Sequence, residues 1–230
     1  MSDAVFSALV LTAAPPGYPE GGGGLVKLDG REALLRSVEL FLNRPNIKQI
    51  QLVVSGEAEE EVKRKFGGNL GFMGAKLAVG GKKWSEQLAA AAPKILAEAT
   101  HVLIHDVARP LTPSGDIDTL LDAAAKKPAV VLAAPLSSSL IELDHGGLPV
   151  ALRPPADFML HLSPMVLSKQ RFTELTGGRE VHASELTLVR GSALNIRVGP
   201  GDASLAKAML NLLPKPKAKA PSNPFEEAQW

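Results

Sequence analysis

His105-Asp106-Val107-Ala108-Arg109-Pro110 sets one carboxylate and one guanidinium three residues apart, where the apolar run Val102-Leu103-Ile104 stops at a proline-terminated turn. In open α/β sheets ligands sit beyond the carboxyl ends of the strands, so this pair suits a metal–phosphate complex. The same residues also suit a plain turn in which Asp106 caps backbone amides. A second stretch, Gly80-Gly81-Lys82-Lys83, pairs two glycines that let a ligand approach the backbone with two lysines that could meet phosphate. Its competing reading is a β-turn with exposed lysines. A third, Gly21 to Gly24, follows the first apolar run, where backbone amides often cradle a phosphate. Its spacing matches neither dinucleotide nor P-loop fingerprints, and Pro15, Pro16 and Pro19 remove three N–H donors nearby.

These stretches need strands and helices to hold them. Phe6 to Leu11, Gln49 to Val54, Lys76 to Val79, Val102 to Ile104 and Ala129 to Ala134 are short apolar runs bounded by breakers, and each predicts a buried strand. Between them, Arg31 to Leu42, Glu57 to Phe66, Glu86 to Ala99 with a kink at Pro93, and the segment carrying Ile117, Leu120, Leu121 and Ala124 predict helices. That alternation predicts an α/β fold with a mostly parallel sheet flanked by helices. From Pro135 to about Leu162 the pattern becomes a β-hairpin, Leu140 to Leu143 and Leu148 to Leu152 around Asp144-His145-Gly146-Gly147. Its apolar residues need a covering surface, which makes it a candidate dimerisation arm. Ser163-Pro164 predicts a helix start leading into Met165 to Leu175. Leu186 to Val189 and Leu194 to Val198 predict short strands, and Asp202 predicts the cap of a last helix.

With 230 residues, 45% of them hydrophobic and 21% charged, the chain can bury a substantial core. A net charge of +1 gives no general case for nucleic acid or an anionic membrane, so an anion site must be local. The absence of cysteine excludes disulfides and thiolate metal sites, and together with an N-terminus unlike a signal peptide it predicts a cytoplasmic protein. Residues 1–214 are expected to fold as one domain. Residues 215–230 are expected to form a basic, proline-rich linker and tail ending in Phe225 to Trp230.

The order of these pieces resembles the 2-C-methyl-D-erythritol 4-phosphate cytidylyltransferase family. His105-Asp106-Val107-Ala108-Arg109-Pro110 is close to its H-D-A-A-R-P, and Asn195 to Asp202 resembles its N-I-K-I-T-x-P-x-D with Arg197 at the lysine position. The resemblance implies a Rossmann-like, GT-A-type nucleotidyltransferase fold with a hairpin arm. It also implies a reaction in which CMP passes from CTP to the methylerythritol phosphate with release of pyrophosphate, assisted by Mg²⁺. Asp106 would hold the ion and Arg197 would face the phosphates, with Lys27 as a second catalytic cation. Ala13, Ala14, Gly17, Gly80, Gly81, Lys82, Arg109 and Arg153 would bind nucleotide or acceptor, and the partner would be a second copy of the chain, not nucleic acid or a membrane.

The sequence departs from that family where charge matters. The first loop, A-A-G-x-G-x-R in the family, is Ala13-Ala14-Pro15-Pro16-Gly17-Tyr18-Pro19, and G-G-x-x-R-x-x-S has Trp84 and Gln87 at its last two defined positions. Two readings therefore stand: a cytidylyltransferase with a rearranged site, or a catalytically impaired protein on the same scaffold with a binding or regulatory role. A dinucleotide-dependent oxidoreductase lacks the glycine fingerprint.

Overall fold

The structure, a computed structural model, describes residues 4–19 and 23–214. Part of the Gly21–Gly24 run and the whole tail, Phe225 to Trp230 included, lie outside the described residues.

A seven-stranded sheet forms the centre. In chain order its strands are β1 (Phe6–Leu11), β4 (Ile47–Ser55), β5 (Lys76–Gly80), β6 (His101–Asp106), β7 (Ala129–Pro135), β10 (Met159–Ser168) and β11 (Thr187–Arg190). Two small hairpins stand apart from it, β2 (Lys27–Leu28) with β3 (Arg31–Glu32), and β8 (Leu140–Leu143) with β9 (Pro149–Arg153). Across the sheet the order is β11-β7-β10-β6-β1-β4-β5; β10 runs antiparallel to both neighbours and the other pairings are parallel.

Two-residue periodicity explains why the strands read as unbroken apolar runs. Phe6, Ala8 and Val10 point to one face, while Leu9 and Leu11 point to the other, and all five are buried. The first face is covered by α1 (Ala33–Glu39), α2 (Gly56–Phe72) and α4 (Ser114–Ala124), through Leu34, Val38, Val62, Phe66, Ile117 and Leu120. The second is covered by α3 (Trp84–Ala91) and α5 (Lys169–Thr176), through Leu88 and Phe172. Each large apolar side chain buried this way contributes about 1.5–3 kcal/mol. A smaller cluster, Leu28, Leu111, Val198 and Ala206, seats the last helix, α6 (Ala203–Leu210), against β2. No helix among the described residues is long and apolar enough to cross a membrane.

Four expectations change. Ser163-Pro164 does not start a helix: β10 runs through it with a register shift between His161 and Met165, where a residue without an N–H is tolerated. The helix begins after Ser168, whose hydroxyl accepts the Arg171 N–H at 3.2 Å. The segment Leu194 to Val198 forms no strand, because its backbone meets single partners instead of a ladder; Val198 N, for example, donates to Ala108 O at 2.7 Å. The third helix stops at Ala91, and a 3₁₀ turn, Ala92–Lys94, accommodates Pro93. Asp202 caps its helix only in position: its carboxylate accepts from Gly199 N at 2.8 Å.

Candidate functional site

The carboxyl ends of β1, β4, β5 and β6 lie side by side, so the parallel ladder gathers the first loop, Ser55, Gly80 and Asp106 along one rim. The antiparallel strand β10 adds Ser163 to it. Ser163 Oγ accepts from Asp106 N at 2.9 Å and lies 3.0 Å from His105 Nδ1. Burial, reinforced by the Arg109 charge, pushes the His105 imidazole down to about 3, so it is neutral at physiological pH.

Asp106 is 4% exposed and both of its carboxylate oxygens are engaged. Oδ1 accepts from Ala108 N at 2.9 Å, and Oδ2 accepts from Arg197 Nε at 2.8 Å. The expected ligand carboxylate and the expected phosphate cation thus bind each other. Tyr18 of the first loop lies beside both arginines, its ring centroid 5.6 Å from the Arg197 guanidinium carbon and 5.8 Å from that of Arg109. Arg197 also donates to Pro19 O at 3.4 Å. Arg109 is buried and donates to Asn195 O at 2.6 Å and Tyr18 Oη at 3.4 Å. The 191–198 segment that supplies Asn195 and Arg197 is fixed in turn by Asp116, whose carboxylate accepts from Ser192 N at 2.7 Å. Burial raises the Asp116 pKa.

On the other side of the first loop is a recess of about 230 Å³ lined by Thr12, Ala13, Ala14, Ser55, Glu57, Lys82 and Gln87. This brings together Ala13, Ala14 and Lys82 from the predicted set. Lys82 Nζ lies 2.7 Å from Glu57 at its rim. Gly80 and Gly81 stand beside it for a packing reason. A Cβ on Gly80 would fall 2.9 Å from the Gln87 Cα, and one on Gly81 would overlap the Glu86 carboxylate. Gly17, with φ +84°, takes the left-handed turn that brings Tyr18 N back to Pro15 O.

Two predicted residues join neither group. Lys27 is exposed on β2 and pairs with Glu32 at 3.7 Å. Arg153 pairs with Glu142 at 2.6 Å on the arm. Conversely, sequence reasoning gave no role to Tyr18, Asn195 or Gln87. The last had a signal: Gly80-Gly81, seven and six residues earlier, marks a close approach that α3 then makes.

Comparison with known proteins bears on the family and the fold. The sequence model of the 2-C-methyl-D-erythritol 4-phosphate cytidylyltransferase family matches residues 19–151, more than half of the chain. A protein of that name from Rhodopirellula baltica is 28% identical over 92% of this chain and 97% of its own length. One from Clostridioides difficile is 26% identical over 81% and 85%. Among solved structures, the 4-diphosphocytidyl-2C-methyl-D-erythritol synthase of Anaerococcus prevotii superposes with a TM-score of 0.74 at 17% identity, covering 91% of this chain and 97% of that one. The Thermus thermophilus 2-C-methyl-D-erythritol 4-phosphate cytidylyltransferase gives 0.68 at 22%, covering 89% and 98%. At those identities the superpositions speak to the fold.

Proposed function

Because the chain belongs to the 2-C-methyl-D-erythritol 4-phosphate cytidylyltransferase family, we propose that it transfers CMP from CTP to 2-C-methyl-D-erythritol 4-phosphate. An oxygen of the acceptor phosphate bonds to the α-phosphorus, the bond from that phosphorus to the bridging oxygen breaks, and pyrophosphate leaves. Such transfers depend on positioning and charge neutralisation more than on covalent help from the protein. The observation that carries this reading is the shared rim: a recess of about 230 Å³ between Ala13 and Gln87, on the same rim as Asp106, Arg109 and Arg197.

The donor set fits a magnesium ion that arrives with the triphosphate, since this ion characteristically uses one or two carboxylates plus substrate phosphates. Among the described residues no group of three or more His, Asp or Glu side chains is arranged to hold an ion by itself, and Asp106, the carboxylate on the rim beside Arg109 and Arg197, is the residue that would hold it together with the phosphates. The ion would neutralise charge on the phosphates. Each Asp106 oxygen accepts one hydrogen bond and keeps lone-pair capacity for the ion, which would compete with Arg197 for the carboxylate charge. Lys82 lines this recess, and Lys83 lines a second one with Ala14, Gly17 and Tyr18. Release of pyrophosphate from CTP in the presence of the acceptor and Mg²⁺ is the test; no release would overturn the assignment.

The bond between Asp106 and Arg197 also favours a second reading, a catalytically impaired protein that binds nucleotide in the recess. That reading requires CTP to raise the melting temperature without turnover. Both readings keep the expectation of one domain over residues 1–214, in the cytoplasm, and of a homodimer. The arm supports the dimer: Ile141 and Leu152 face each other across β8 and β9 and are 63% and 73% exposed. Charging both, Ile141→Asp with Leu152→Asp, should convert a dimer to a monomer in sedimentation; wild-type protein already monomeric at micromolar concentration would end that expectation.

A further inference from the structure

β1 and β5 are not neighbours: β4 lies between them. The ladder leaves their end loops roughly 10 Å apart, two strand spacings, and among the described residues no backbone–backbone bond joins them. Gln87 bridges it. Its side-chain amide, 1% exposed, accepts the Ala13 N–H at 3.0 Å and donates to Thr12 Oγ1 at 3.1 Å and to Gly81 O at 3.3 Å. An amide has two donors and one carbonyl oxygen, and both ends are used here to join two loops and the helix that carries them. Gly80 permits this, because only a residue without a side chain lets α3 approach so closely. The recess wall is left with the Ala14 backbone and the Ser55 hydroxyl, which have no hydrogen-bond partner among the described residues.

We propose that Gln87 is a positioning residue for the nucleobase. Acting through Ala13 and Gly81, it holds the Ala14 backbone and Ser55 at the separation a base needs to bond them, and it does so without touching the phosphates or the acceptor. This rests on the nucleotide transfer proposed above. A buried amide used only for stability would show a different response to substitution.

Gln87→Leu removes all three bonds at similar volume, and Gln87→Glu keeps an acceptor for Ala13 N while losing the donors to Thr12 and Gly81. For Gln87→Leu the KM for CTP should rise at least about tenfold, with kcat within about threefold and the acceptor KM unchanged, and Gln87→Glu should fall between it and wild type. Hydrogen exchange should quicken at the Ala13 and Ala14 amides while β6 stays protected. Calorimetric CTP affinity gives the same readout if turnover is absent. Wild-type protein that binds CTP but releases no pyrophosphate defeats the transfer reaction and leaves the Gln87 comparison intact. Variants that bind CTP as wild type does, with or without a lower melting temperature, overturn the positioning role, as does a wild-type protein that binds no nucleoside triphosphate. If Gln87→Leu does not fold, the Gln87→Glu comparison decides.

Discussion

Around Asp106 the charges are spent inside the protein, on Arg197, Asn195 and Tyr18, whereas around Ala14 hydrogen-bonding groups are left over. The two regions share the first loop, which turns its Ala13 end to the recess and its Tyr18 end to the arginines. The difference separates two demands on a nucleotide site. A base is recognised by backbone edges that can wait unpaired beside water, but a carboxylate and two guanidiniums taken out of water need partners immediately. The charged half is therefore self-paired until a ligand offers something better.

The largest test of this contrast is Asp106→Ala. It strands Arg197 and should cost about 3–5 kcal/mol of stability in chemical denaturation, together with a loss of about 10²-fold or more in pyrophosphate release. Asp106→Asn, which keeps an acceptor for Ala108 N, should recover part of the stability and none of the activity. A denaturation midpoint unchanged in both variants would break the comparison.

Acid should strike the charged half next. His105 stays neutral in the fold, with its pKa down at about 3, while the unfolded chain takes up its proton near 6.5. The native state therefore binds fewer protons between those values, and stability present above pH 6.5 is lost as the pH falls, by up to about 1.4 kcal/mol per unit. Denaturation midpoints measured from pH 7 to pH 4 show the slope, and His105→Leu should flatten it.

Tyr18→Ala removes one ring from two guanidiniums and should cost about 1 kcal/mol. With Arg197 held less firmly, Mn²⁺ alone should bind several-fold more tightly in a paramagnetic titration; unchanged affinity would show that Tyr18 does not help keep Asp106 paired. The smallest effect belongs to the recess rim. Lys82→Ala breaks an exposed ion pair and should leave the melting temperature within error while weakening CTP binding a few-fold at low salt.

The sheet was legible because burial on both faces leaves unbroken apolar runs, as in Phe6 to Leu11. The place of Asp106 on the rim was legible for a local reason, a charge at the end of such a run. Its partnership with Arg197 was not, since the two are 91 positions apart and nothing local distinguishes a guanidinium that meets phosphate from one that meets a carboxylate. Ser163-Pro164 misled because a serine followed by proline satisfies helix-start geometry and strand interruption equally well; the neighbours β6 and β7 decided between them. Leu194 to Val198 alternates like a strand, yet β11 already pairs with β7 through Leu188 and Val189, and the later segment has no ladder to join. Gln87 was legible as a departure at a motif position, but its bonds to Ala13 and Thr12 were not, since those residues lie 74 and 75 positions away.

The insertion of β10 between β6 and β7 has a consequence for how the protein is made. Asp106 leaves the ribosome well before Ser163, which fixes its backbone, and before Arg197, which holds its charge. A nascent chain that ends after β7 already contains the recess residues Ala13, Ser55 and Gln87, but its acidic corner has no keeper. At about 5–20 residues per second the delay lasts several seconds, so during synthesis the half of the cleft proposed to take the base has its residues in place before the half around Asp106.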